Sequence, residues 1–363
     1  MSPHLTDEDL NCLVKTIQSG MLVQGKEVQN FETNISSFLN CDFSMAVSNG
    51  TASLHLALLA LGIKNGDEVI VPAFSYVATA NAVEITGAKP VFVDIDIKTF
   101  NIDVDQIEKA ITKKTRAIIP VHEFGLSSEI SKITEIARAY NLFVIEDAAC
   151  ALGAMENGKL VGTFGDFGSF SFHPRKAITS GEGGILTTNN KELSAKIKIL
   201  RNHGIETING KMEFVEAGYN YRMTDFQAAL VNNQLKRLND NIDYKNKLAE
   251  TYFQDLNQNK NIILPYVPEN KNHTWQTFHI LIDKKLNRDQ VIEQLKESQI
   301  GTNYGAQCIP IQQFYQKKYN LDCYSLFPSA LAAYEQGLAL PIYEKLQPED
   351  ISYISEALNH ILK

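Results

Sequence analysis

From residue 43 to about 190, short runs rich in β-branched and aromatic residues alternate with stretches whose apolar positions recur every three or four residues. That alternation predicts strands joined by helices, hence an α/β fold built on a mainly parallel sheet with helices on both faces. Strands are expected at 44–48, 68–71, 90–95, 117–121, 142–146, 168–172 and 184–188. Several are apolar nearly throughout, as strands covered on both faces must be. A helix at 54–61 follows the first strand. Helix-period segments follow at 191–202, 224–238 and 242–256. After the polar run 257–261, a strand at 277–282, a helix at 288–298 and a closing helix at 348–362 complete the pattern. The N-terminus enters a helix through a Thr6-x-x-Asp9 cap. With 363 residues the chain exceeds one ordinary core, so two units are expected, a large domain at 1–241 and a smaller C-terminal α+β domain at 242–363.

Composition narrows the class. The chain is 44% hydrophobic and 21% charged with a formal charge of -8. That acidity argues against a nucleic-acid or anionic-membrane partner, both of which call for basic patches. Five cysteines without a CxxC pair, no signal peptide and no membrane-length apolar run imply reduced thiols and a cytoplasmic location. No metal-ligand spacing stands out.

Two of the expected strands end in chemistry. The one at 142–146 runs into Glu146-Asp147. The one at 168–172 continues through His173-Pro174-Arg175 to Lys176 and the glycine-rich Gly181-Glu182-Gly183-Gly184. A strand-end acid followed by a strand-end lysine is what a pyridoxal phosphate (PLP) enzyme requires. The amine forms a Schiff base with the cofactor aldehyde, and the carboxylate keeps the pyridine nitrogen protonated. Each residue alone has a plainer reading, Lys176 as a solvated surface lysine and Asp147 as a helix cap. Between the first strand and its helix, Ser48-Asn49-Gly50-Thr51-Ala52-Ser53 offers amides and a hydroxyl to a phosphate, or simply caps the helix. Ser171 lies an odd number of residues before Lys176, so it joins the phosphate ligands only if the chain bends at Pro174. Tyr76 is placed to stack on a flat ring or to pack in the core. Gly218-Tyr219-Asn220-Tyr221-Arg222 reads as a capping segment or as a contact loop reaching a neighbouring site.

Taken together these segments resemble the DegT-type sugar aminotransferases, PLP enzymes with the aspartate aminotransferase (type I) fold, and the resemblance runs nearly end to end, from Gly20-x-x-Val23-Gln24-Gly25 to Leu340-Pro341-Ile342-Tyr343. It implies Lys176 as the Schiff-base lysine and Asp147 as the pyridinium partner. It further implies Tyr76 on the ring, Gly50, Thr51, Ala52 and Ser171 around the phosphate, and Asn220 reaching the phosphate of a partner subunit in a homodimer. Many members carry glutamine or histidine near the cofactor's ring hydroxyl where this chain has Cys150, a poorer hydrogen-bond donor. A related branch replaces the lysine by histidine and dehydrates sugars; Lys176 is present, so amination is expected. L-glutamate would be the donor and a nucleotide-linked 4-keto-6-deoxy sugar, or a 3-keto isomer, the acceptor, for polysaccharide or glycan synthesis. The freed Lys176 amine would move the proton, and partial burial and the cationic ring should lower its pKa. Arg201 or Arg222 is expected on the donor carboxylate. Tyr304-Gly305-Ala306-Gln307, Phe314-Tyr315, His173, His203 and Trp275 are open between substrate contact and packing. Other PLP reactions, including a desulfurase using Cys150, and a non-catalytic regulator on the same scaffold are the competing readings. A nicotinamide-binding protein is discarded, since no GxGxxG follows the first strand.

Overall fold

A computed structural model describes residues 3–363. Seven strands form the central sheet: β1 (Phe43–Val47), β2 (Glu68–Pro72), β3 (Lys89–Val93), β4 (Thr115–Ile118), β5 (Phe143–Asp147), β6 (Phe167–Ser171) and β7 (Gly184–Thr188). Their order is β1-β7-β6-β5-β4-β2-β3. β3, β2, β4, β5 and β6 pair in parallel, while β7 runs antiparallel to both β6 and β1. Ligands of open α/β sheets bind beyond the carboxyl ends of the strands. Because β7 is reversed, its first residue, Gly184, comes to that same edge.

Burial explains the sequence pattern. Val69, Ile70 and Val71 of β2 are all fully buried, as are Phe167 and Ile145 on neighbouring strands. Met45, Leu56, Val71, Ile119, Phe167 and Leu186 belong to one apolar cluster on one side of the sheet. Ile70, Ile118, Ile130 and Val144 form another that includes the helix Ile130–Tyr140. A third joins Phe31 and Phe172, whose rings meet edge to face at 5.3 Å, with Ile185 and Val231. At the N-terminus the predicted cap is present: Thr6 and Asp9 exchange hydrogen bonds at the start of the helix Asp7–Gln18, and Asp9 also takes Arg237.

A separate apolar cluster gathers Leu248, Tyr252, Phe278, Ile280, Leu340, Ile351 and Leu358. It lies around a three-stranded antiparallel sheet, β8 (Ile262–Ile263), β9 (Phe278–Ile282) and β10 (Gly337–Leu340), with the helices Leu238–Leu256 and Pro348–Ile361. The Tyr252 hydroxyl donates to the Pro341 carbonyl at 2.7 Å, which ties the first of these helices to the chain leaving β10. The segment before β9 docks onto the turn that follows β4, where the Gln276 amide donates to the Phe124 carbonyl at 3.0 Å.

Candidate active site

At the carboxyl edge of the sheet lies a cavity of about 650 Å³. The segments leaving β1, β2, β4, β5 and β6 contribute to its wall. β1 leads through Asn49 into the helix Gly50–Ala60, whose first amides have no partner inside it. Asn49 accepts from the Ala52 amide at 2.8 Å, so Ala52 is claimed by the cap and Gly50 and Thr51 are left to meet an anion. A Cβ on Gly184 would stand 2.6 Å from the Asn49 carbonyl oxygen and 2.9 Å from the Gly50 nitrogen. Glycine at 184 is therefore what lets this helix start approach β7. A Cβ on Gly50 would stand 2.9 Å from that of Ser171, which places the Ser171 side chain directly against the helix start.

β5 ends in two acids with different fates, because alternate residues of a strand face opposite sides. Glu146 is turned away and accepts from His122 Nε2 and from the amides of Gly162, Phe164 and Gly165, all within 3.0 Å, a saturated carboxylate with a structural role. Asp147 faces the cavity. Its carboxylate accepts from Thr79 Oγ1 at 2.8 Å and from the Ala149 amide at 3.2 Å. Burial pushes the Asp147 acid above its ordinary value, and the donors Thr79 and Ala149, then Lys176 and His122, pull against it.

Lys176 lies beyond the end of β6 on a turn closed by its own amide to the His173 carbonyl at 2.8 Å. β6 stops at Ser171, and the chain turns through Pro174. Strand parity therefore no longer applies, and Ser171 and Lys176 both line the cavity. Lys176 Nζ donates to Cys150 Sγ at 3.0 Å. Burial presses the Lys176 amine toward neutrality, but Cys150, Asp147 and Glu123 outweigh it and its pKa is raised. The depression expected of the amine beside a cationic ring is therefore not a property of the cofactor-free site, where acids face the amine. Burial also pushes the Cys150 thiol up, against the pull of Lys176, so it stays a thiol and is no activated nucleophile.

Gly50, Thr51, Ala52, Tyr76, Asp147, Cys150, Ser171 and Lys176 all line this one cavity; Asn220 does not. Asn220 is exposed, on the segment bridged to Asn202. Tyr76 is 57% exposed and thus not a core residue. His173, Gly305 and Ala306 also line the cavity, whereas Tyr304, Phe314, Tyr315, His203 and Trp275 lie elsewhere. Tyr315 packs edge-on against Phe92 and donates to Asn81, and Trp275 stacks on His273 at 3.8 Å. Arg201 is buried, its guanidinium bonded to Glu32 and the Ala46 carbonyl. Arg222 bonds Asn202 and is likewise outside the cavity. Arg201 is thus taken by its ion pair, and neither arginine reaches this cavity. Thr79 and Glu123 escaped the reading of the sequence. Glu123 carries the same signal that singled out Asp147, an acid just past a parallel strand.

The donor set fits PLP: an amine for an aldehyde, an acid for a pyridine nitrogen, and a helix start with a serine pressed against it for a phosphate. A sheet of this order with these groups on its carboxyl edge defines a PLP-dependent aminotransferase of the type I fold. The model of the DegT/DnrJ/EryC1/StrS aminotransferase family matches residues 3–359, and the chain belongs to that family. It is 37% identical over 360 residues to the GDP-perosamine synthase of Escherichia coli O157:H7, with 98% of this chain and 96% of that protein covered. It is 34% identical over 377 residues to the UDP-4-amino-4-deoxy-L-arabinose–oxoglutarate aminotransferase of Shewanella sediminis, covering 99% and 97%. Spr1654 from Streptococcus pneumoniae, solved in its PLP form, superposes with a TM-score of 0.93 at 28% identity, covering 99% and 97% of the two chains.

Proposed function

We propose that this sugar aminotransferase moves an amino group from L-glutamate to a nucleotide-linked 4-keto-6-deoxy sugar, or a 3-keto isomer. The observation that carries the reading is the convergence of Lys176 and Asp147 on one cavity that the start of the helix Gly50–Ala60 also lines. Two relatives are named for nucleotide-linked aminosugars, and one of these names includes oxoglutarate, the keto acid that glutamate leaves behind.

When bound, PLP supplies an aldehyde to hold the amino group and a ring to accept the electron pair of the breaking carbon–hydrogen bond. Lys176 would hold the cofactor through its amine and, with that amine free, would act as the base and acid that moves the substrate proton. Asp147 keeps the ring nitrogen protonated, and Thr79 fixes the orientation of that carboxylate. Gly50, Thr51 and Ser171 would receive the phosphate, with Ala52 held by the Asn49 cap. Tyr76 offers its exposed ring to the cofactor face, and Cys150 forms the wall beside the lysine. A neutral thiol on that wall disfavours a desulfurase. A regulator would not need both Lys176 and Asp147. L-glutamate alone should convert the visible band of the PLP-loaded protein to the near-ultraviolet band of the amino form within one turnover. An unchanged spectrum would discard the donor assignment.

The site is completed by a second copy of the chain in this reading. Asn220 is exposed outside its own cavity, and Leu10, Val14 and Ile17 of the first helix and Met212 and Phe214 of the hairpin before Asn220 are exposed apolar residues. Mixing K176A with N220A should restore up to about a quarter of wild-type activity, since half of randomly exchanged dimers are mixed and one of their two sites is intact. Exchange verified by mass without any recovery would overturn the shared site. The separate cluster around Leu248, Phe278 and Leu358 supports 242–363 as the small domain and 1–241 as the cofactor-binding one, although Ala306, Ile309, Tyr315 and Phe327 join the core of the central sheet. Five free cysteines support a cytoplasmic location. No helix among the described residues is long and apolar enough to cross a membrane.

A further inference from the structure

Glu123 is a buried acid in the cavity wall with no part in the mechanism above. The chain leaving β4 continues alongside β5: Val121 bridges Asp147, and the His122 amide donates to the Asp147 carbonyl at 3.0 Å. Two residues beyond Val121, Glu123 lines the same cavity as Val121, Asp147, Cys150 and Lys176. The turn that carries it is held from several sides. Its amide donates to Asn101 Oδ1 at 2.8 Å, and the buried Asn101 amide group donates to the Leu126 and Ser127 carbonyls, both at 3.2 Å. The next residue, Phe124, has φ +56, a left-handed conformation that a bulky aromatic side chain rarely adopts. Phe124 is kept there by stacking on His279 at 4.5 Å and by contacts with Phe74 and Phe100. Strain of this kind persists only where the surroundings over-determine it, and it clusters at functional sites.

We propose that Glu123 is a neutral carboxylic acid that donates a hydrogen bond on the Lys176 side of the cavity, to the cofactor oxygen next to the carbon that bears the aldehyde. The assignment rests on Lys176 as the PLP lysine. In PLP the ring hydroxyl is the immediate neighbour of the aldehyde-bearing carbon, so a polar group beside the Lys176 amine is beside that oxygen too. The other group there, Cys150, is a weak donor. The groups facing Glu123 are Lys176, Asp147, Cys150 and the Ser75 hydroxyl on the cavity side. Behind Phe124 a small void that Glu123 also lines is bounded by His273, His279, Lys98 and Tyr266. Both histidines are neutral, their pKa values held near 3 chiefly by burial. Burial pushes the Glu123 acid up to about 8, with Lys176 opposing and Asp147 reinforcing the shift. At pH 7 the acid therefore keeps its proton, whereas an exposed glutamate would have lost it. Such a site resembles in principle the protonated acid that other enzymes keep as a hydrogen-bond donor.

Two measurements test this, one of them without cofactor. In the cofactor-free protein, infrared spectroscopy should show a protonated-carboxyl stretch at pH 7 that E123Q lacks and that bleaches with a midpoint near the acid's pKa of about 8. In the PLP-loaded protein, the pH midpoint of the visible band is read in wild type, E123Q and E123L. E123Q keeps a donor of the same size, so its midpoint should stay within about 0.3 unit of wild type, while E123L should move it upward by about one unit. The upward shift is expected because the ring oxygen, without its outside donor, binds the proton of the neighbouring nitrogen more strongly. An E123L midpoint matching wild type, or an E123Q midpoint moving as far as E123L, would overturn the proposal. So would the absence of an infrared band that E123Q removes, a result that stands even if E123L does not fold. Wild-type protein that forms no visible band with PLP would instead sink the cofactor assignment, and this proposal with it, whatever the infrared result.

Discussion

Lys176→Ala is expected to lower turnover by about 10⁴-fold or more and to abolish the visible band that PLP forms with the wild-type protein. Two losses combine. The covalent anchor disappears, and so does the group that moves the proton, a role that by itself contributes typically 10²–10⁴-fold. The cavity should survive the change, because Lys176 is held by a hydrogen bond to Cys150 and by its backbone turn and has no part in the apolar clusters. Folding can be confirmed by thermal melting, and PLP retention by phosphate analysis after gel filtration. Added methylamine should restore a little activity by supplying a free amine. A K176A protein that keeps the band and more than about one hundredth of the activity would end the assignment.

The second large effect is expected at Asp147. Asp147→Asn preserves size and leaves one oxygen, which can keep the Ala149 amide bonded at Oδ1, while the Thr79 hydroxyl, now bonded to Oδ2, must turn to accept from the new amide group. What vanishes is the negative charge facing the ring nitrogen. Without it the nitrogen loses its proton and the ring accepts electrons poorly. Turnover measured in single-turnover mode should fall by roughly 10²–10³-fold, the scale seen when a directed electrostatic partner is removed from an active site. PLP binding should weaken far less, because the lysine and the phosphate site are intact. The contrast with K176A is diagnostic: D147N should keep a visible band and lose rate. A D147N rate within tenfold of wild type would show that the ring nitrogen does not depend on this acid.

Much of this site was legible along the chain, for reasons that differ by element. Buried parallel strands are apolar nearly throughout, so all seven strands of the sheet coincide with predicted ones to within a few residues. Helix starts were harder. The helix expected at 54–61 begins at Gly50, because its first turn is set by the Asn49 cap and not by apolar spacing. The helix expected from 242 likewise begins at Leu238. Ser171 shows the limit of parity: counting residues puts it opposite Lys176, and only the end of β6 before Pro174 brings the two to one cavity.

The arginines obey the same limit. By its sequence neighbours Arg201 is available for a carboxylate, yet its partner Glu32 lies far away in sequence and is brought close by the fold. Nothing near position 201 announces that pairing. The electrostatics of Lys176 went the same way, since Cys150, Asp147 and Glu123 come from different loops and their joint pull on the amine exists only after folding.

Short-range order therefore settled which residue types stand at strand ends, and with them the lysine, the acid and the glycine-flanked helix start, because those features are written within a few residues of each other. Which ends share one cavity, which acid faces it and which turns away, which cations are already spent on ion pairs, and whether a buried carboxyl keeps its proton depend on distances between segments remote in the chain. Those are consequences of packing and of desolvation by neighbours, and they arise only when the strands are laid side by side.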